Sequence, residues 1–284
     1  MSRHAIFVIN PSRAEAVEAA KEISQILLKS DFTLSTPSDV NVLGITRKGF
    51  DKMDKAELVV VLGGDGTILR GAEIARAQDI PVLGMNLGRV GFLAEVEKPS
   101  VAEIAESIIA KNFVTEHRMV LQYSVIRGGA KVSNGWALNE VTVERNGTTM
   151  VELFVQIDDR PLSRWGCDGL ICATPTGSTA YAFSAGGPVL WPEIDALVLL
   201  PISAHALFAR PMVVSPQSEI VVEIESADAL LSGDSLRKFA LKSGDQVHIT
   251  KDLAAIKLSH IKPTLFTDRL VAKFKLPVEG WRGE

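Results

Sequence analysis
The sequence predicts a mixed α/β chain with an N-terminal parallel α/β domain, a C-terminal mostly antiparallel β-domain, and a C-terminal tail that packs back on the first domain. Three observations carry this expectation. Up to about Arg118, strand-like runs alternate with helix-like segments, the pattern of a parallel sheet flanked by helices. From Met119 strand patterns separated by turn residues dominate, and beyond residue 258 apolar positions return to helical spacing. The boundaries expected are 1–118, 119–258 and 259–284.

In chain order, AIFVI from Ala5 reads as a first strand, stopped by Asn10 and Pro11. The helix from Ala14 sets Val17, Ile23, Ile26 and Leu27 on one stripe, leaving Glu15, Glu18 and Lys21 for water. LVVVLGG, TILRGAEIARA, PVLGMN and SVAEIAESIIAKNF then read as strand, helix, strand and helix. In the second part, Gly128-Gly129 and Asn146-Gly147 are hairpin-turn pairs, and EIVVEIES and FALKSGDQVHIT are further strands. The tail carries Leu265, Leu270 and Phe274 at helical spacing.

A chain of 284 residues with 46% apolar content supports one large core or two ordinary ones. Its 30 basic against 34 acidic residues lack the basic excess of a nucleic-acid binder, so a small-molecule partner is expected, with neither nucleic acid nor membrane. AIFVI and ALVLLPI are too short for a signal-peptide core or a membrane span, so a soluble, cytoplasmic protein is expected. Cys167 and Cys172 are too few for a disulfide framework or a zinc site and read as two buried small side chains in a reducing compartment. His4, His117, His205, His248 and His260 show no metal-ligand spacing, so no side-chain metal site is expected, and His205 reads as a loop brace. Trp136, Trp165, Trp191 and Trp281 read as core or interface residues.

The chemistry concentrates in three stretches. In LVVVLGGDGTILRG, Leu58 to Gly71, a buried strand runs into Gly63, Gly64 and Gly66, which surround Asp65 and precede Thr67. The glycine spacing is not that of a dinucleotide fingerprint, and no Lys-Ser/Thr follows as in a P-loop. Amides around Gly63, Gly64 and Thr67 at a helix N-terminus suit phosphate oxygens. Asp65 can accept a proton from an attacking hydroxyl or help hold Mg²⁺, either of which reconciles a carboxylate with bound phosphate. An Asp-Gly turn with Thr67 as helix cap uses the same residues.

In GCDGLICATPTGSTAYAFSAGGPVL, Gly166 to Leu190, small residues and hydroxyls crowd together around one aromatic, Tyr181. Such a stretch lets a ligand approach the backbone, with Thr176, Ser178, Thr179 and Ser184 for phosphate or ribose and Tyr181 for a base; close internal packing is the alternative. In LNEVTVER, the amide of Asn139 and the carboxylate of Glu140 suit a ribose diol, provided a bend or bulge turns both to one side.

Taken in order, GGDGT, NLGRVGFLAEV, NE and CDGLICATPTGSTAYAFSAGGPVL, followed by HALFARPMVV, resemble the bacterial NAD kinase family, with ATP or polyphosphate as phosphoryl donor. The likeness runs from NPSR to FTDRLVAKF. GGDGT is shared with lipid kinases and, loosely, phosphofructokinases; the TPTGSTAYAFSAGGP stretch and the NE pair are more specific. The resemblance implies phosphorylation of the 2′-hydroxyl of the adenosine ribose of NAD to give NADP, with Mg²⁺ or another divalent metal. It makes Asp65 the proton acceptor, with Gly66 and Arg70 beside the dinucleotide and Phe92 facing substrate. It sets Asn139 and Glu140 near the ribose and the phosphate bridge, and Thr179, Ala180, Tyr181 and Ser184 at the adenine and its ribose. It sets Asp168 at the nicotinamide end, often in the family from a neighbouring subunit, and implies a homodimer or homotetramer with the β-domain at the interface.

The chain departs from the family pattern around Asp234, in GDSLRK, and at Gly166 and Cys167, so no contacts are carried over there. Two other functions use part of the same residues. A GGDGT lipid kinase needs an apolar acceptor groove, which the hydroxyl-rich Thr174 to Ser184 stretch does not resemble; a non-catalytic pyridine-nucleotide sensor has no use for Asp65.

Overall fold
The computed structural model describes residues 3–85, 91–93, 100–226, 228–262 and 265–278. The NLGRV and AEV portions of NLGRVGFLAEV, and Trp281, lie outside the described residues. The chain forms two units, residues 1–117 with 256–284, and residues 118–255.

The first unit begins with β1 (Arg3–Ile9), α1 (Ala14–Leu28), β2 (Phe32–Thr36), β3 (Ile45–Arg47) and β4 (Leu58–Leu62). It continues through α2 (Asp65–Gln78), β5 (Val82–Met85), α3 (Val101–Ala110) and β6 (Val114–Arg118). All five residues of β4 are buried, as a strand covered on both faces requires. On α1 the fully buried stripe is Ala16, Ala19, Ala20, Ile23, Ser24 and Leu27, while Val17 and Ile26 are partly buried. Ile23 and Leu27 of the expected stripe are thus buried, and half of the buried stripe is alanine, which lets the helix approach its neighbours closely. Ser100 and Glu103 close a reciprocal capping box at the start of α3.

The second unit holds β7 (Leu121–Arg127), β8 (Ala130–Ala137), β9 (Glu140–Arg145), β10 (Val151–Ile157), β11 (Arg160–Cys167) and β12 (Gly169–Ala173). A short helix α4 (Tyr181–Ser184) follows, then β13 (Leu197–Ile202), β14 (Met212–Val214), β15 (Ile220–Ile224), β16 (Ala229–Gly233), β17 (Arg237–Leu241) and β18 (Gln246–Lys251). These strands make two six-stranded sheets, ordered β11-β10-β15-β18-β7-β8 and β14-β13-β12-β9-β16-β17. One core draws on both, including Leu121, Tyr123 and Val125 from the first sheet and Val141, Val143, Leu170 and Cys172 from the second. The opposite face of β12 and β13 is covered by α4 and the chain after it, through Ile171, Ala173, Ala182, Leu190, Val198 and Leu200.

Turn chemistry differs from the expectation at one place. Gly128 and Gly129, at φ 56° and 80°, close the β7–β8 hairpin, but Asn146-Gly147 joins β9 to β10, which lie in different sheets. The β10–β11 and β16–β17 hairpins turn instead on Asp158-Asp159 and Asp234-Ser235, all four at positive φ as type I′ turns demand, with Leu236 as one extra residue before Arg237 pairs with Gly233.

The chain then returns to the first unit as β19 (Ile256–His260) and α5 (Phe266–Phe274). β19 enters the seven-stranded sheet β3-β2-β1-β4-β5-β19-β6, pairing parallel with β5 through Leu258 and Val82. The pairs along β3-β2-β1-β4-β5 are parallel as well. No helix among the described residues is long and apolar enough to cross a membrane.

Candidate active site
The GGDGT loop sits where β4 meets α2. The Gly63 amide donates to Met85 O at 3.1 Å, which ties the end of β4 to β5, and Gly64 is the helix N-cap without a side-chain cap. Asp65 is therefore the first helical residue. Thr67 is not the cap: its amide makes an early bond to Gly64 O at 2.8 Å, and its side chain fills the space where a Cβ on Gly63 would stand. Gly66 and Arg70, four residues apart and both exposed, share one helical face.

The Asp65 carboxylate is cradled by main chain. Its Oδ2 accepts the Phe92 amide at 3.1 Å and its Oδ1 the Leu93 amide at 3.2 Å. Gly91 passes so close to Oδ1 that a side chain there would collide with the carboxylate. Asp65 thus stands at a helix start, held by two donors and half-buried, a suitable posture for taking a proton. The Phe92 ring is buried against Phe266 and Phe274, with centroids 5.9 and 5.7 Å away, so Phe92 meets Asp65 through its backbone.

The Asn139 and Glu140 pair belongs to the second unit, at a bend entering β9. Sequence reasoning left Asp234 outside the site, yet this residue shapes the bend. Its carboxylate accepts the amides of Leu138 at 2.8 Å, Asn139 at 2.7 Å and Glu140 at 3.3 Å, with Arg237 Nη1 3.4 Å away. Its own amide donates to Glu140 O at 3.0 Å. From the other side Thr174 donates its amide to Asn139 O and its hydroxyl to Leu138 O, at 2.9 and 2.6 Å. Gly177 lies flat on the Asn139 carbonyl, with no room for a Cβ. The one signal for Asp234 was its place beside Ser235 between two strand runs, which marks a turn but not its partner.

β9 organises the rest of this unit's residues. Val141 and Val143 enter the core between the sheets, so Glu140, Thr142 and Glu144 face the side covered by α4. Glu140 is 5% exposed, accepts the Tyr181 amide, and has its Oε2 buried without a hydrogen-bond partner. Burial, and then the negative Asp234, push its carboxyl up to about 8, against the opposing Tyr181 amide. Burial also raises Asp234, opposed by the three amides it accepts. The Tyr181 hydroxyl bonds Glu144, and burial followed by that bond pushes the phenol up to about 12. At the end of β9, Arg145 Nε lies 2.8 Å from Asp168 Oδ1.

The small-residue stretch divides into structural and available groups. The buried Ser178 hydroxyl donates to Pro175 O at 2.7 Å and accepts the Leu190 amide at 2.9 Å, which commits it to the fold and corrects its place among the ligand hydroxyls. Thr179 donates to Thr176 O at 3.2 Å, while Ser184 and Tyr181 are exposed and Ala180 is half-buried. Cys167 and Cys172 are buried, with thiols pushed up to about 11 and about 12 chiefly by burial, which makes both unreactive. The His205 amide bonds Gly166 O at 2.9 Å, and Trp165 is core. The sequence-derived residues therefore fall into two sets: Asp65, Gly66, Arg70 and Phe92 in the first unit, and Asn139, Glu140, Asp168, Thr179, Ala180, Tyr181 and Ser184 in the second.

A strand that delivers Gly-Gly-Asp-Gly-Thr to a helix start, with the acid held by backbone amides, is the mark of a phosphotransferase of the GGDGT class. The family models are more specific: residues 5–113 match the ATP-NAD kinase N-terminal domain and residues 138–261 the ATP-NAD kinase C-terminal domain. The chain is 43% identical to the NAD kinase of Mycobacterium bovis, over 99% of each chain. Among solved structures it is similar to yeast NADH kinase complexed with NADH, with a TM-score of 0.87 and 25% identity over 99% of this chain and 89% of that one. It is also similar to an NAD kinase from Archaeoglobus fulgidus in complex with ATP, with a TM-score of 0.68 and 26% identity over 97% and 99% of the two chains. The chain belongs to the NAD kinase family, which sets the lipid-kinase reading aside.

Proposed function
We propose that this protein transfers the terminal phosphoryl group of ATP to the 2′-hydroxyl of the adenosine ribose of NAD, giving NADP and ADP. The observation that carries the chemistry is the Asp65 carboxylate, fixed at the head of α2 by the Phe92 and Leu93 amides. A sugar hydroxyl is a poor nucleophile at neutral pH. Asp65 accepts its proton as the oxygen attacks the terminal phosphorus, the bond from that phosphorus to the bridging oxygen breaks, and ADP leaves with that oxygen. Mg²⁺ enters as part of the substrate, bound largely to phosphate oxygens, and neutralises their charge. Polyphosphate presents the same terminal phosphoryl chemistry and is the alternative donor.

Of the phosphate-binding set Gly63, Gly64 and Thr67, the Gly63 and Thr67 amides are engaged by Met85 O and Gly64 O, so the Gly64 amide at the helix start carries the phosphate contact, and Gly66 and Arg70 line the same approach. Asn139 and Glu140 hold the ribose and the phosphate bridge. The bend that carries both residues, fixed by the Asp234 carboxylate on their amides, supports this. Thr179, Ala180, Tyr181 and Ser184 meet adenine and its ribose, and Asp168 the nicotinamide end, in a homodimer or homotetramer.

The test is NADP formation from NAD and Mg-ATP beside an Asp65→Asn variant that still binds NAD. Wild-type product with a loss on the order of 10²- to 10⁴-fold in the variant is expected. Intact NAD binding without product from ATP or polyphosphate would favour a nucleotide sensor.

A further inference from the structure
We propose that Arg269, on the C-terminal helix α5, is a positioning residue for Asp65 and acts through a single peptide group. The inference rests on the reading of Asp65 as the proton acceptor. The Leu93 amide donates to Asp65 Oδ1 at 3.2 Å, and the carbonyl of that same peptide unit, Phe92 O, accepts Arg269 Nη1 at 2.7 Å. The guanidinium and the carboxylate therefore hold opposite ends of one planar dipole. Because the unit is rigid, fixing its oxygen fixes the direction of its N–H. Both charges polarise it in the same sense, which strengthens the bond to Asp65.

The rest of the neighbourhood serves the same end. Residues 91–93 belong to no helix or strand, so tertiary contacts must aim their amides. The Phe92 ring is packed by Phe266 and Phe274, which flank Arg269 on α5. Arg269 is 2% exposed, and its Nη2 lies 3.3 and 3.4 Å from the two ring nitrogens of His260, on β19. Burying a guanidinium is expensive, and an apolar side chain would fill the space at lower cost. Arginine supplies here a rigid charged fork with one arm on this main-chain carbonyl.

A misplaced acceptor slows the chemical step and leaves ground-state binding largely intact. Arg269→Met should therefore lower kcat on the order of 10²-fold while KM for NAD moves by less than about threefold. Phe274→Leu, which loosens the same cluster but keeps the donor, serves as the stability control. In an Asp65→Asn background, Arg269→Met should add almost nothing, since both act on one step. If Arg269→Met does not fold, Arg269→Gln is read by the same rule. Wild-type kcat in a folded Arg269 variant, kcat and KM rising or falling together, or full additivity with Asp65→Asn overturns the proposal. Wild-type kcat in Asp65→Asn itself instead overturns the reading of Asp65 on which it rests.

Discussion
The carboxylate of Asp234 accepts the backbone amide of Asn139 at 2.7 Å across a sequence separation of 95 residues. The amides of Leu138 and Glu140 converge on the same group, so one side chain at a hairpin tip sets the bend that presents the Asn-Glu pair. A carboxylate suits this task because it accepts on both oxygens and donates nothing.

Asp234→Asn retains the volume but replaces one acceptor oxygen with a donor amide that faces backbone N–H groups. At a residue 4% exposed, the mismatch should cost about 1–3 kcal/mol of stability and weaken NAD binding through the displaced bend. Denaturant unfolding and NAD titration of the variant check this. Unchanged values in both would show that the bend does not depend on the carboxylate.

Glu140 gives the protein a pH dependence of defined sign. Its folded carboxyl is raised to about 8, so across the interval from its ordinary value of 4.5 the folded state holds a proton that the unfolded chain has released. Stability from this group is therefore full below the unfolded value and falls as pH rises toward about 8. Glu140→Gln should flatten that slope, unfolding at higher denaturant than wild type near about pH 9 and at a similar concentration near about pH 5. A wild-type slope that persists in the variant would assign it to other groups.

Gly177 tests the packing beneath the Asn139 carbonyl. A methyl group there collides with the main chain of Asn139, so Gly177→Ala should destabilise the second unit by about 1–3 kcal/mol and lower NAD affinity. Gly166, whose nearest neighbour would stand 3.8 Å from an added Cβ, is the control, and Gly166→Ala should behave as wild type in thermal unfolding. Equal behaviour of the two variants would remove the argument.

Much of the fold was legible because its signals are local. The change from alternating strand and helix patterns to strand-and-turn texture follows from side-chain periodicity, which neighbouring residues carry in themselves. The placement of Asp65 between a buried strand and a helix was equally legible, since an all-apolar run before glycines admits few other structures. Local signals also misled. Asn146-Gly147 has hairpin chemistry but joins strands of different sheets, and Thr67 has a capping side chain but lies inside the first turn. In the first case sheet pairing outweighed local preference; in the second the helix begins ahead of Thr67, with Gly64 as its N-cap.

By itself, the sequence determined the α/β and β-rich texture, the family, and the residue types that chemistry on a phosphorylated sugar requires. Tertiary structure alone decided what holds those residues in place: Asp234 under Asn139, Tyr181 between Glu140 and Glu144, and Phe92 and Leu93 on Asp65 with Arg269 behind them. It also decided that β19 enters the first sheet between β5 and β6. The physical reason is that a helix, strand or turn is specified by residues a few positions apart. The partner of a buried polar group is chosen by strand register and packing among residues far apart in the chain, where no local pattern records the choice.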